Sequence, residues 1–240
     1  MSQKLSIIVP AFNEEKTVGE VLKRLLAIPF PGWDIEIIAV NDGSSDNTAS
    51  ILNGFSSRVR VINLPHNGGK GSAVSAAIAV AKGDYAIIQD ADLECKPEEI
   101  PLLLKAITSV SPDTKVAVMG SRELHGARDH KSEFLPHFGS IVITKLINTL
   151  YSTSLTDTLM GYKLFPRATF GYFNVGGFEA EILFLTRLLS SGYRIIEVPV
   201  SYVPRGTKEG KKIKYRDGIN IIIKVLSFWL KSRFFGAKRP

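Results

Sequence analysis

Short apolar runs recur along the first half of this chain, each released by a polar turn and followed by a helical stretch. They are residues 5–10, 35–40, 59–64, 85–88 and 116–120. Continuously apolar strands alternating with helices specify an α/β fold: a mostly parallel sheet covered by helices on both faces. The helices are expected at 13–26, from 48 to about Phe55, and at 72–81 and 97–109. Asn13 is the expected N-cap of the first. Open sheets of this kind bind ligands outside the carboxyl ends of their strands. Phe12 to Glu14, Asp42, Gly68 to Gly71 and Asp90 to Glu94 all fall at that edge.

The run 85–88 leads into three carboxylates, Asp90, Asp92 and Glu94, spaced two apart. If the backbone stays extended, period-2 spacing turns all three to one side. Such carboxylates repel unless a cation lies among them, and hard oxygen ligands suit Mg²⁺ or Mn²⁺. The plainer alternative is a solvated acidic turn before the next helix. That accounts for Glu98 and Glu99, which follow Pro97 in a first helical turn, but not for Asp90 and Asp92.

The glycine turn Asn67-Gly-Gly-Lys-Gly71 is not a P-loop. Gly71 stands where Ser or Thr is required after Lys70, and Leu64 occupies the earlier glycine position. The turn after the first strand has no Gly-x-Gly-x-x-Gly, which disfavours a dinucleotide fold. Gly68 and Gly69 either offer backbone N–H groups to a diphosphate at a helix start or simply make a turn. The single cysteine, Cys95, has no intrachain partner, so a reducing, cytoplasmic setting is expected.

Beyond Arg122 comes a polar loop with Arg128, His130 and Lys131, then a helix at 135–151. The segment 157–165 turns into a short strand, Phe178 to Glu181 opens a helix, and 195–203 is another strand. Charge concentrates at the end. From Arg205 onward there are eleven basic and two acidic residues, a net +9 within a total of +7, which leaves the first 204 residues at −2. Such a tail meets nucleic acid, anionic lipid or a phosphorylated substrate, or is a solvated face. The last helix, 215–235, carries one polar stripe, Asn220, Lys224, Ser227 and Lys231, on an otherwise apolar surface. It belongs in the fold, against a partner or in a lipid interface, where Phe228 and Trp229 would sit at the boundary. No uncharged run reaches the ~20 residues of a membrane span.

In these segments the chain resembles a family 2 glycosyltransferase of the GT-A (Rossmann-like) fold, and more narrowly the dolichyl-phosphate mannose/glucose synthase-like branch. The matching stretches are 9–15, 41–45, 67–71, 89–94, 120–122, 157–165 and 205–212. The resemblance implies a glycosyltransferase domain over 1–204, with a mobile basic loop and an amphipathic helix of the same domain over 205–240. It implies inverting, metal-dependent transfer from a UDP- or GDP-hexose to a polyprenyl or dolichyl phosphate. It puts the nucleotide sugar on Pro10, Phe12, Glu14, Val40, Asp42, Asp90, Ala91, Asp92, Arg122, Arg205 and Lys211. Mg²⁺ or Mn²⁺ falls to Asp90, Asp92 and Glu94, with Asp92, Arg122 and Arg205 catalytic. Glu94 stands where the mannosyl-phosphate synthases carry Gln, which argues against GDP-mannose. The expected setting is the cytoplasmic face of a membrane, reached through the last helix or a small membrane subunit, with no nucleic acid involved. A phosphate acceptor needs no general base; a sugar-hydroxyl acceptor, as in polysaccharide synthesis, would need one, with Glu179 or Glu181 the candidate. A metal-dependent nucleotidyltransferase would also use an acidic crevice, but residues 10–15 lack its Gly-rich, basic first loop.

Overall fold

The computed structural model describes residues 2–111, 114–124, 134–173, 177, 179–204 and 215–235. Arg205 and Lys211, with the rest of loop 205–214, and Arg128, His130, Lys131 and Phe178 lie outside the described residues. The order is β1 (Gln3–Ala11), α1 (Val18–Ala27), β2 (Trp33–Asn41), α2 (Thr48–Asn53), β3 (Arg60–Asn63), α3 (Lys70–Ile78) and β4 (Tyr85–Ile88). A 3-10 turn, Pro97–Glu99, leads into α4 (Ile100–Thr108). Then come β5 (Val116–Ser121), α5 (Phe134–Tyr151), β6 (Lys163–Pro166), α6 (Ala180–Ser190), β7 (Arg194–Pro199) and α7 (Tyr215–Phe235).

The strands form one sheet in the order β3-β2-β1-β4-β6-β5-β7. β6 runs antiparallel to β4 and β5, and the other pairings are parallel. Alternation along β1 sends Leu5, Ile7 and Val9 to one face, against Val18, Leu22 and Leu25 of α1 and Leu103 of α4. Ile8 and its neighbours Ile38 and Ile88 go to the other, against Ala73, Val74 and Ala77 of α3 and a cluster of Phe165, Phe173 and Phe184. The small side chains of α3 let that helix lie close on the sheet. Chain order reverses between β1 and β4, so the crevice outside their carboxyl ends is the switch point where such sheets take ligands.

Two local expectations change. Asn13 is not a helix cap: it has φ 51°, and α1 begins only at Val18, after Thr17. Its side chain faces the second strand-end loop instead. The last helix neither lies free nor buries itself on all sides. Ile221 and Val225 pack with Ile143, Ile147 and Leu185 of α5 and α6. The Trp229 indole donates to Leu150 O at 3.0 Å, and Phe228 lies under the Arg187 guanidinium, so both aromatics serve the docked side rather than a lipid boundary. Ile219, Ile223, Leu226 and Leu230, one turn apart, remain exposed.

This one-sided docking predicts a contrast within α7. Ile221→Ala should lower unfolding free energy by about 2–5 kcal/mol, as for buried large-to-small changes. Ile223→Ala, 57% exposed in the native protein, should stay within about 0.5 kcal/mol. Urea denaturation checks both; equal losses would place both faces in the core.

Candidate active site

At the switch point the first two strand-end loops are laced into one unit. Pro10 and Val40 are partners in the β1–β2 register and are buried. Beyond them Ser45 N–H donates to Asn13 Oδ1 at 2.9 Å, Glu14 N–H to Thr48 Oγ1 at 2.8 Å and Glu15 N–H to Asp46 Oδ2 at 3.1 Å. The Glu14 carboxylate is buried and accepts from Thr17 Oγ1 at 3.0 Å. Phe12 is half-buried beside them. Asp42, also buried, accepts the Gly68 N–H at 2.9 Å and so ties the second loop to the glycine turn. Gly69 has φ +82°, a conformation that favours glycine.

The acidic segment departs from its expected geometry. β4 ends at Ile88, and Leu93 takes the left-handed φ of 62°, so residues 90–94 form a turn rather than an extended strand. Period-2 alternation therefore stops before the carboxylates begin. Among the described residues no three His, Cys, Asp or Glu side chains gather as a metal-ligand group. Asp90, Asp92 and Glu94 thus do not form the expected three-carboxylate cluster. Asp90 pairs with the Lys70 ammonium. Asp92 Oδ1 accepts the Glu94 N–H at 3.1 Å. Glu94 Oε2 accepts the Tyr202 hydroxyl at 2.8 Å, and Ala91 is buried between. Burial, then the charge of Glu94, pushes the Tyr202 phenol well up, so it stays a donor.

Two further arrangements surround this turn. Arg122 is held bidentately by buried Asp157, with Nε and Nη2 at 2.6 and 2.8 Å from its oxygens, and its guanidinium lies 4.9 Å from the Tyr202 ring centre. Burial would raise Asp157, but the hydrogen bond and charge of Arg122 outweigh it and hold the carboxyl below its ordinary range. On the other side Lys70 bridges Asp90 and Glu181, and Lys163 Nζ meets Glu181 Oε2 at 2.9 Å. Burial would raise Glu181, yet Lys163 and Lys70 hold it low. Glu179 pairs with Lys224 of α7, which likewise outweighs burial and keeps it low. Both glutamates are therefore poor proton acceptors. Lys70 lies in the glycine turn expected at this edge, whereas Lys163 and Tyr202 are not among the residues the sequence points to. The signal for Lys163 was a lysine opening an apolar strand, where an unpaired charge is not tolerated.

Residues 6–171 match the model of "Glycosyl transferase family 2". Dolichyl-phosphate beta-glucosyltransferase ALG5C of Trichomonas vaginalis is 32% identical over 223 residues, covering 86% of this chain and 66% of that protein. The chain thus spans just under two thirds of that relative's length. Undecaprenyl-phosphate 4-deoxy-4-formamido-L-arabinose transferase of Edwardsiella ictaluri is 35% identical over 160 residues, 65% of this chain and 46% of that one. Among solved structures, glucosyl-3-phosphoglycerate synthase of Mycobacterium tuberculosis with uridine diphosphate superposes with a TM-score of 0.69 at 19% identity, over 95% of this chain and 80% of the other.

The Arg122–Asp157 pair predicts an acid-sensitive stability. Asp157→Asn should cost about 3 kcal/mol at pH 7, because Arg122 stays buried opposite a neutral group. A depressed carboxylate contributes fully above its unfolded value, near 3.8, and loses that contribution as pH falls through its folded value. The gap between wild type and variant should therefore close below about pH 4, read by denaturation at stepped pH.

Proposed function

The chain belongs to glycosyl transferase family 2 and is a glycosyltransferase; from that premise we propose that it moves a hexose from a UDP- or GDP-hexose to a polyprenyl or dolichyl phosphate, with inversion, at a membrane surface. The observation that carries the reading is the switch-point crevice, where Asp42, the glycine turn, Asp90 and the Asp92–Glu94 turn meet through direct contacts. The relatives named for dolichyl- and undecaprenyl-phosphate acceptors support the acceptor class.

In this reading Pro10, Phe12, Glu14, Val40 and Asp42 receive the nucleoside, and Asp90, Ala91 and Asp92 face the diphosphate. The donor set fits Mg²⁺ or Mn²⁺. It is oxygen-only, since burial, then Asp90 and Asp92, push the adjacent Cys95 thiol far up and keep it from acting as a thiolate. Mg²⁺-like ions take one or two carboxylates and complete their shell with substrate phosphates, so a three-carboxylate cage is not required. Asp92 and Glu94 would hold the ion, with Asp90 beside them. When bound, it supplies positive charge against the leaving nucleoside diphosphate.

The acceptor phosphate oxygen is already anionic and attacks the anomeric carbon opposite the leaving group, which inverts it. No carboxylate base is needed, in accord with Glu179 and Glu181 both being held by lysines. What the step requires is cations that bring two anions together. Arg122, aimed by Asp157, is one; Arg205 and Lys211 are the others, planar forks and ammonium groups suiting phosphate oxygens. Val203, two residues before Arg205 in the chain, donates to Glu94 O at 2.9 Å.

Among the described residues no helix is long and apolar enough to cross a membrane. The exposed stripe Ile219, Ile223, Leu226 and Leu230 on α7 suits an interfacial contact instead. Phe138 and Val142 of α5 are exposed as well, as are Lys145, Lys231 and Arg233. Residues 138–151 and 218–233 contain no Asp or Glu. Each basic group near an anionic leaflet adds about 1 kcal/mol, weakening with salt. The reading places this surface on the cytoplasmic face.

Asp92→Ala should abolish transfer and metal-dependent donor binding while unfolding free energy falls by only about 1 kcal/mol, the worth of the hydrogen bond that Asp92 accepts from the Glu94 N–H. Full activity of this variant in EDTA would remove the mechanism. The membrane contact is checked by sedimentation with anionic and neutral vesicles. Wild type should sediment with the anionic ones only, and Ile223→Glu, Leu230→Glu should stay in the supernatant with an unchanged melting temperature. Equal sedimentation of both proteins would exclude this face.

A further inference from the structure

Beyond Asp157, the segment 157–163 is a motif the proposed chemistry does not consume, yet Met160, Gly161, Tyr162 and Lys163 all contact the surroundings of the acidic turn. Asp157 holds Arg122. Met160 O accepts from Lys163 Nζ. Gly161 lies so close to the Asp90 carboxylate that a Cβ has no room there, and its position is 3.6 Å from Lys70 Nζ. The Tyr162 hydroxyl lies 2.5 Å from Gln89 Oε1 and 2.7 Å from Lys96 O. Lys163 meets Glu181.

The result is a ladder of four alternating charges, Asp90, Lys70, Glu181 and Lys163, running from the crevice inward. Exposure drops from about a quarter at Asp90 and Lys70, 24% and 25%, to 13% at Glu181 and 3% at Lys163. The four sum to zero. A lysine at the dry end is a poor choice for stability alone, since an apolar side chain there would avoid the desolvation that buried ion pairs incur. Lys163 and Lys70 share Glu181, and Lys70 also meets Asp90.

We infer that Lys163 and Glu181 are positioning residues of the donor site: they hold the Lys70 ammonium on Asp90 and set the net charge that an incoming nucleoside diphosphate meets. The inference rests on the proposed donor site. It gives opposite signs for two variants, because one leaves the ladder at −1 and the other at +1, in surroundings where a unit charge is poorly screened.

The test is calorimetric binding to metal-free protein, with Mn²⁺ alone and, separately, UDP and GDP in EDTA. Lys163→Met should bind Mn²⁺ about tenfold more tightly and the nucleoside diphosphate about tenfold more weakly. Glu181→Gln, nearly isosteric, should shift both ligands the other way, and Lys163→Arg should restore wild-type values. If Lys163→Met does not fold, Glu181→Gln carries the sign test. Both ligands weakening together, or neither moving, in a folded variant overturns the inference in favour of a packing role. If wild type binds neither Mn²⁺ nor either diphosphate, the donor site itself fails and takes this inference with it.

Discussion

A lysine set between two carboxylates, Lys70 between Asp90 and Glu181, is the contact on which the crevice depends. It joins the first residue of α3 to the end of β4 and to the first turn of α6. It thereby fastens the parallel half of the sheet to the half that contains antiparallel β6. Without a cation there, Asp90 and Glu181 would repel across a poorly solvated gap. The chemistry asks for the same thing. In the proposed reaction two anions, a diphosphate and an acceptor phosphate, approach only where fixed positive charge offsets their repulsion.

The fold was largely legible in the chain because its signals are local. Continuous apolar runs mark the parallel strands, and the polar residues after them fall at the carboxyl edge of the sheet. The antiparallel setting of β6 was not legible, since a four-residue strand carries no mark of direction. Type and position single out Asp90, Asp92 and Glu94 as candidates, but spacing alone does not report their geometry. Period-2 spacing orients side chains only while the backbone is extended, and here the strand stops at Ile88 and Leu93 turns left-handed. Arg122 was expected at phosphate without its partner. Asp157 is 35 residues away, and no local pattern reports such a pairing.

The same distinction applies to α7. Its length and bounds follow from the apolar run, whereas the choice between core and interface depends on what the rest of the chain presents to it. Glu179 and Leu150 O take Lys224 and Trp229, which turns one face inward and leaves the isoleucine–leucine stripe outward. Glu179 also crowds Gly177, whose backbone bonds Gly68 and Gly71. The outward-facing helix and the glycine turn are thus connected through one glutamate.

In the proposed mechanism an anionic lipid phosphate, unaided by a protein base, displaces the nucleoside diphosphate directly. Product stereochemistry tests it most directly. Purified protein, UDP-glucose or GDP-mannose, Mn²⁺ and a polyprenyl phosphate in anionic vesicles should give a hexosyl phosphoryl lipid. Phosphorus- and proton-detected magnetic resonance should read it as the β-anomer from an α-linked donor. An α-linked product, or transfer to a sugar hydroxyl with none to the lipid phosphate, would contradict the account.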